Sequence, residues 1–230
     1  MAKKQERPQG KRAALYVDGF NLYHPIHDRG EHFLKWASLW KLGQIFCKPQ
    51  SLELVKVVFC TAVPQDDIGK RDRHNAFNAA QIACGVTVLK GHHVFDPTLN
   101  KRSEKQSDIN VALSLMMDAE DDIFDWAFLL SADSDQAATA SFFSSRHPKK
   151  GLIGVAPPTK SVPDKVMSHC IAHSQMPFDH LEEALMPELV PGRSGHPIRR
   201  PPQYAPPNGY VFWDERPKRG KAKAPPAEPE

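Results

Sequence analysis

Short apolar runs alternate with longer amphipathic segments along most of this chain. The runs are rich in valine, isoleucine, leucine and aromatic residues, and they occupy residues 13–17, 54–60, 86–89, 126–130 and 152–155. The segments between and after them carry apolar side chains at helical spacing, over residues 36–46, 71–84, 108–117, 135–145 and 162–172. The pattern therefore predicts five strands separated by helices.

The apolar runs do not alternate strictly between apolar and polar positions. A strand that is apolar throughout is typical of a parallel sheet covered by helices on both faces, so we predict a doubly wound α/β fold. Residues 13–187 should form this domain, after a basic arm at residues 1–12. Ten prolines among residues 191–230 predict that residues 188–230 form an extended or disordered tail.

The formal net charge of +3 is unevenly distributed along the 230 residues. Residues 1–12 and residues 191–230 each carry a net charge of +4, whereas residues 13–190 carry −5. A basic arm and a basic tail can contact the phosphates of a nucleic acid through salt-dependent, sequence-independent interactions. The acidic region between them would itself repel the phosphates of a nucleic acid.

The sequence has no stretch of the roughly 20 apolar residues that span a bilayer, and no apolar segment follows the basic N-terminus as in a signal peptide. The four cysteines are widely separated and form no CxxC pair, which favours buried reduced thiols over a disulfide or a zinc site. We therefore expect a cytoplasmic protein without membrane contact.

Candidate chemistry lies directly after the predicted strands, because ligands of open α/β sheets bind at the carboxyl ends of the strands. Asp18 and Asn21 follow the first strand, and Asp133 and Asp135 follow the fourth. Asp108, near the start of a predicted helix, is a further candidate. If the first and fourth strands are neighbours, these carboxylates converge, and crowded carboxylates are best neutralised by Mg²⁺ or Mn²⁺.

Each aspartate also has a simpler interpretation. A single aspartate after a strand is commonly a turn former or a helix N-cap, and Asp108 in a first helical turn also complements the helix dipole. The denser acidic run at residues 118–125 is expected to be a solvated loop. The sequence contains neither a GxxxxGK[ST] loop nor a GxGxxG motif after the first strand, which argues against P-loop nucleotide hydrolysis and dinucleotide chemistry.

Several motifs, taken in order, resemble those of the NYN domain family, a group of PIN-like ribonucleases. The segment YVDGFNLY at residues 16–23 resembles the opening VDGxNLY motif, and EKQSD at residues 104–108 resembles the K-x-x-D helix start. LLSADSD at residues 129–135 resembles the LLSGDSDF strand end. KGLIGV at residues 150–155 resembles the last strand, and residues 36–46 resemble the helix after the opening motif.

Residues 180–187 and 198–202 further resemble an ending seen in the bacterial branch of the family. The resemblance implies a PIN-like sheet with strand order 3-2-1-4-5 and a Mg²⁺- or Mn²⁺-dependent nuclease site. The acids of that site would be Asp18, Asp108, Asp133 and Asp135, with Asn21 as a polar partner.

The motif after the fourth strand departs from the family pattern at two positions. Ala132 stands where glycine is usual, and Gln136 stands where phenylalanine is usual. Ala132 requires an ordinary backbone conformation, because alanine does not readily adopt a positive φ. Gln136 is expected to loosen the packing beneath the site.

Two functions are consistent with these observations. The first is a metal-dependent ribonuclease, in which the metal site hydrolyses phosphodiester bonds of single-stranded or structured RNA. Basic residues in the arm and tail would hold the RNA, and aromatic residues of the tail, Tyr204, Tyr210, Phe212 and Trp213, would stack on bases. The second is a regulatory module that binds RNA or protein without cleavage and is recruited to its partners through the proline-rich tail. A solubilising or partner-docking role for the tail is an alternative to RNA binding.

Overall fold

A computed structural model describes residues 7–64, 67–96, 101–193 and 195–217. Within these ranges the strands are β1 Arg12–Asp18, β2 Glu53–Ala62, β3 Thr87–Asp96, β4 Lys101–Lys105, β5 Trp126–Leu130, β6 Gly151–Ala156, β7 Ala172–Gln175, β8 Leu189–Val190 and β9 Ile198–Arg199. The α-helices are α1 Gly19–Arg29, α2 Leu39–Cys47, α3 Ile68–Ala83, α4 Ser107–Glu120, α5 Gln136–Arg146, α6 Asp164–Met167 and α7 Phe178–Glu183.

The main sheet has the strand order β4-β3-β2-β1-β5-β6-β7. All neighbours in it are parallel except β3 and β4, which pair antiparallel. The five predicted strands correspond to β1, β2, β3, β5 and β6, so the order 3-2-1-4-5 is confirmed for them. Strands β4 and β7 extend the sheet at its two edges.

Both faces of the sheet are covered, as a doubly wound fold requires. Leu15 and Val17 of β1 point into a core that includes residues of α1, α2 and α7. Ala14 and Tyr16, the alternate positions, point into a second core with residues of α4, α5 and α6. The α/β class inferred from the continuous apolar runs is therefore confirmed. In the described part of the chain, no helix has the length and apolar character to cross a bilayer.

Of the predicted extended or disordered tail, residues 188–193 and 195–217 are described and are largely extended, and several of their side chains pack against the domain. Val190 and Tyr204 are buried in a third core with Trp36, Ala80 and Met186. The Trp36 indole Nε1 donates a hydrogen bond to the Pro187 carbonyl at 2.9 Å. Strand pairing here is limited to β8 and β9, and the prolines between and after them leave apolar side chains that fill this core. Residues 218–230 lie outside the described ranges.

Two cations expected to contact RNA are instead engaged within the domain. Arg12, the first residue of β1, places Nη2 2.9 Å from Asp122 Oδ2 and 2.9 Å from Asp125 Oδ1. Arg216 forms an ion pair with Glu182, which also accepts from the Tyr210 hydroxyl at 3.2 Å. Tyr204, expected to stack on bases, is buried. The tail segment thus contributes to packing at positions predicted to bind RNA.

The acidic run at residues 118–125 is only partly a solvated loop. Asp118 lies inside α4 and is 6% exposed. Its carboxylate accepts from the Tyr16 hydroxyl at 2.7 Å and from Lys56 Nζ at 2.6 Å. The prediction was wrong for Asp118 because helix α4 continues farther than its apolar pattern indicates.

The ion pairs at Asp122 predict an acid-dependent loss of stability. The Lys150 ammonium and the Arg12 guanidinium lower the pKa of the Asp122 carboxyl to about 2. This pKa lies below that of an unfolded aspartate, which is about 3.9. The ion pairs therefore stabilise the fold fully at pH values above about 3.9, and their contribution is lost as the pH falls toward 2. The gap in Tm between the wild type and Asp122→Asn should therefore be present at pH 5 and close by pH 2.

Thermal denaturation across this pH range measures the effect, with Asp121→Asn as the matched control. Asp121 is exposed and makes no ion pair among the described residues. A constant gap in Tm between the wild type and Asp122→Asn from pH 5 to pH 2 would contradict the assignment.

Candidate functional site

Asp18 ends β1 at the carboxyl edge of the sheet and is 1% exposed. Its Oδ1 accepts from the backbone N–H groups of Phe20 and Asn21 at 3.1 and 3.2 Å, so Asp18 is the N-cap of α1. Its Oδ2 accepts from Asn21 Nδ2 at 2.6 Å and from the Ser131 hydroxyl at 3.0 Å. Burial raises the pKa of the Asp18 carboxyl, while the hydrogen bonds from Asn21 and Ser131 lower it.

Asn21 and Ser131 join the ends of two neighbouring strands. Asn21 Oδ1 accepts from the Ala132 backbone N–H at 3.2 Å, while its amide nitrogen donates to Asp18. Ser131 accepts from the Asp133 backbone N–H at 3.1 Å. Because β1 and β5 are adjacent and parallel, these contacts fix the loop after β5 against the start of α1. This is the topological switch point of the sheet, where ligands of such folds bind.

Asp133 is the second carboxylate at this edge. It is half-buried, and its negative charge further raises the pKa of the Asp18 carboxyl. Asp133 Oδ1 also accepts from the Asp135 backbone N–H at 2.9 Å, which orders the start of α5. Asp135 itself is exposed. The structure thus places Asp18 and Asp133 near each other, with Asp135 at the rim.

Asp108 is the second residue of α4 and is half-buried. Its backbone carbonyl lies 3.5 Å from Gln136 Nε2, which brings the beginnings of α4 and α5 together. Within the described ranges, however, no three His, Cys, Asp or Glu side chains are grouped closely enough to hold a metal ion. The expected convergence of four carboxylates is therefore not seen, although all four lie on elements that begin or end at this edge.

The two departures from the NYN pattern have different consequences. Ala132 is not among the described residues with a positive φ, so alanine meets no backbone penalty there. Gln136 is 1% exposed, and its Oε1 has no hydrogen-bond partner in the part of the chain that the structure describes. The glutamine thus fills a buried position but leaves one polar atom unsatisfied, which is costly in a low-dielectric interior.

The donor atoms at this edge are of the type that a hard divalent cation binds, but those of Asp18 already accept hydrogen bonds from the protein. The carboxylates of Asp18 and Asp133, the Asn21 amide oxygen and the Ser131 hydroxyl supply only oxygen atoms. Mg²⁺ commonly binds proteins through one or two carboxylates and keeps several waters, so a pair of carboxylates meets its needs. Ser131 was not among the site residues predicted from the sequence, which were all aspartates or asparagine. Its position directly after a strand was the available signal.

Comparisons with known proteins add little to this description. No family model matches the chain, and no curated protein matches it. A crystal structure of a protein of unknown function from Vibrio parahaemolyticus RIMD 2210633 is similar, with a TM-score of 0.48 and 17% sequence identity. The match covers 76% of this chain and 96% of the other.

Proposed function

We propose that this protein is a metal-dependent ribonuclease of the NYN, PIN-like type, acting on RNA in the cytoplasm. The observation that supports it is the buried Asp18 carboxylate at the switch point, with Asp133 close enough to raise its pKa. Burying one carboxylate near another is unfavourable unless a proton or a cation compensates. Residues with a pKa perturbed by burial and by a specific charge are candidates for functional sites.

Asp18 and Asp133 would hold Mg²⁺ or Mn²⁺, and Asp135 and Asp108 would complete the site from its rim. When bound, the cation supplies activation of a water molecule and neutralisation of charge on the phosphate. Asn21 and Ser131 orient the Asp18 carboxylate through their donated hydrogen bonds. Asn21 also holds the backbone at Ala132, so the loop that carries Asp133 keeps a fixed distance from α1.

RNA would be bound by basic residues of the arm and tail that form no ion pair with the described carboxylates of the domain. Arg12 and Arg216 are engaged in ion pairs, which leaves Lys11 among the described candidates, exposed before the first residue of β1 and thus at the end of that strand opposite Asp18. Lys3, Lys4, Lys218, Arg219, Lys221 and Lys223 lie outside the described residues and remain predicted phosphate contacts. They are six of the thirteen lysine and arginine residues in the two basic ends.

A second candidate function is a module that binds RNA or a protein partner, the latter through the proline-rich segment, without cleaving. The observation that favours it is the saturation of Asp18, whose four acceptor positions are taken by four donors. A cation would have to displace Asn21 or Ser131 from Oδ2. An N-cap that needs no metal explains the same contacts.

Cleavage assays separate the two functions. Labelled single-stranded and structured RNA should be cut by the wild type with Mg²⁺ or Mn²⁺ and left intact with EDTA. Asp133→Asn combined with Asp135→Asn should remove cleavage, because asparagine keeps the turn geometry but not the negative charge. Asp121→Asn, an exposed acid on another element, serves as the matched control.

Cleavage that persists in the double variant would contradict the site. If the wild type cleaves no RNA with either metal, the non-cleaving module is the better description.

A further inference from the structure

A second concave site lies on the other side of α1, between α1, the end of β2 and α3. This pocket has a cavity volume of about 110 Å³ and opens to solvent, so a bound ligand would extend beyond it. Aromatic rings line it, contributed by Phe20, Tyr23, Phe59, Phe77 and Tyr204. Phe20 is 50% exposed, so its ring is accessible to a ligand. The walls favour a ligand with a planar, apolar portion.

Two ammonium groups stand beside Tyr23 in this pocket. Lys35 Nζ lies 4.4 Å from the centre of the Tyr23 ring, and Lys70 Nζ lies 5.9 Å from it. Neither lysine forms an ion pair with a carboxylate of the described residues. Burial, with the charges of Lys70 and Arg73, lowers the pKa of Lys35 to about 8. Positive charge is thus concentrated at a half-buried position, and no carboxylate of the described residues neutralises it.

Asn78 adds another hydrogen-bond donor to this pocket. It is 3% exposed, lines the pocket, and its Nδ2 has no hydrogen-bond partner among the described residues. A buried donor without a partner is unfavourable, so such a group indicates a missing acceptor. Lys35, Lys70 and Asn78 all offer donors, and the ligand must therefore supply acceptors.

We propose that this pocket binds a nucleoside monophosphate unit, with its phosphate at Lys35 and Lys70 and its base among the aromatic rings. Lysine is a common phosphate ligand, and bases stack readily on aromatic side chains. Asn78 would donate to an acceptor on the base. The same chemistry is offered by a free nucleotide and by the phosphorylated end of an RNA chain. The pocket is lined by Gly19 and Phe20, which directly follow Asp18, but its occupation requires no metal and no cleavage.

Isothermal titration calorimetry in EDTA tests the proposal with AMP, adenosine and two short RNAs that differ only in a 5′-phosphate. AMP should bind the wild type more tightly than adenosine. Lys35→Gln combined with Lys70→Gln should weaken AMP binding by about tenfold or more, since hydrogen bonds to charged groups contribute about 1.5 to 3 kcal/mol. Lys41→Gln, an exposed lysine on α2, should leave binding unchanged.

The double variant should keep the wild-type Tm, because it removes charges that no described carboxylate compensates. Stronger binding of the phosphorylated RNA than of the hydroxyl RNA would assign the site to a chain end. Equal binding of the two RNAs, with AMP bound, would assign it to a free nucleotide. AMP binding no tighter than adenosine binding, or equal AMP binding by the wild type and the double lysine variant, would overturn the proposal.

Discussion

Asp18→Asn is expected to lower the rate of RNA cleavage by about a hundredfold or more. The substitution removes the buried negative charge that would hold the cation, but it keeps an oxygen for the backbone N–H groups of Phe20 and Asn21. Unfolding free energy should therefore fall by no more than about 1 kcal/mol, the usual value of an N-cap. Single-turnover cleavage and thermal denaturation measure the two quantities on the same preparations.

Asp28→Asn is the matched control for this variant, because Asp28 lies exposed near the end of the same helix. It should retain both cleavage and stability. If Asp18→Asn cleaves RNA at the wild-type rate while the wild type depends on Mg²⁺, the metal site lies elsewhere. If Asp18→Asn is unfolded, Asp133→Asn alone tests the same carboxylate pair without removing a cap from α1.

Trp36→Ala should reduce the free energy of unfolding by about 3 to 5 kcal/mol. Trp36 is fully buried in the core that holds Met186, Val190 and Tyr204. Its indole N–H donates to the Pro187 carbonyl, and its own carbonyl accepts from the Met186 N–H at 3.1 Å. The cavity would therefore weaken the attachment of the C-terminal segment as well as the packing beneath it.

Denaturant unfolding measures the loss of stability, and limited proteolysis shows whether cleavage begins within residues 187–217. Trp36→Phe is the control, since it keeps most of the ring and loses one hydrogen bond, which contributes about 1 kcal/mol. A protease pattern of Trp36→Ala identical to that of the wild type would mean that other contacts hold the segment in place.

The central strands could be predicted from the sequence because burial on both faces leaves uninterrupted apolar runs. The edge strands could not. The residues of β4, KRSEK, are polar, and its pairing is antiparallel to β3. All four residues of β7, AHSQ, are exposed, so an apolar pattern gives no sign of it. The packing of the C-terminal segment could not be predicted, because proline content indicates the lack of regular structure and carries no information on packing.

The candidate site was predictable in location but not in detail. Asp18, Asn21 and Asp133 follow strands that proved to be adjacent, so the parallel sheet alone brings them to one edge. How closely the four acids approach depends on the starts of α4 and α5, which a sequence pattern defines only within a few residues. The aromatic pocket escaped prediction because Lys35, Asn78 and Tyr204 come from distant parts of the chain that only the fold brings together.

The late position of Tyr204 in the sequence affects when the nascent chain can complete the aromatic pocket. Lys35, β2 and α3 leave the ribosome early, whereas Tyr204, in the short 3₁₀ turn Pro202–Tyr204, is synthesised only after every strand of the main sheet. The aromatic pocket therefore gains its last wall only after the edge that carries Asp18 and Asp133 has been synthesised. A truncated product that stops before residue 202 would display these carboxylates beside an unfinished pocket.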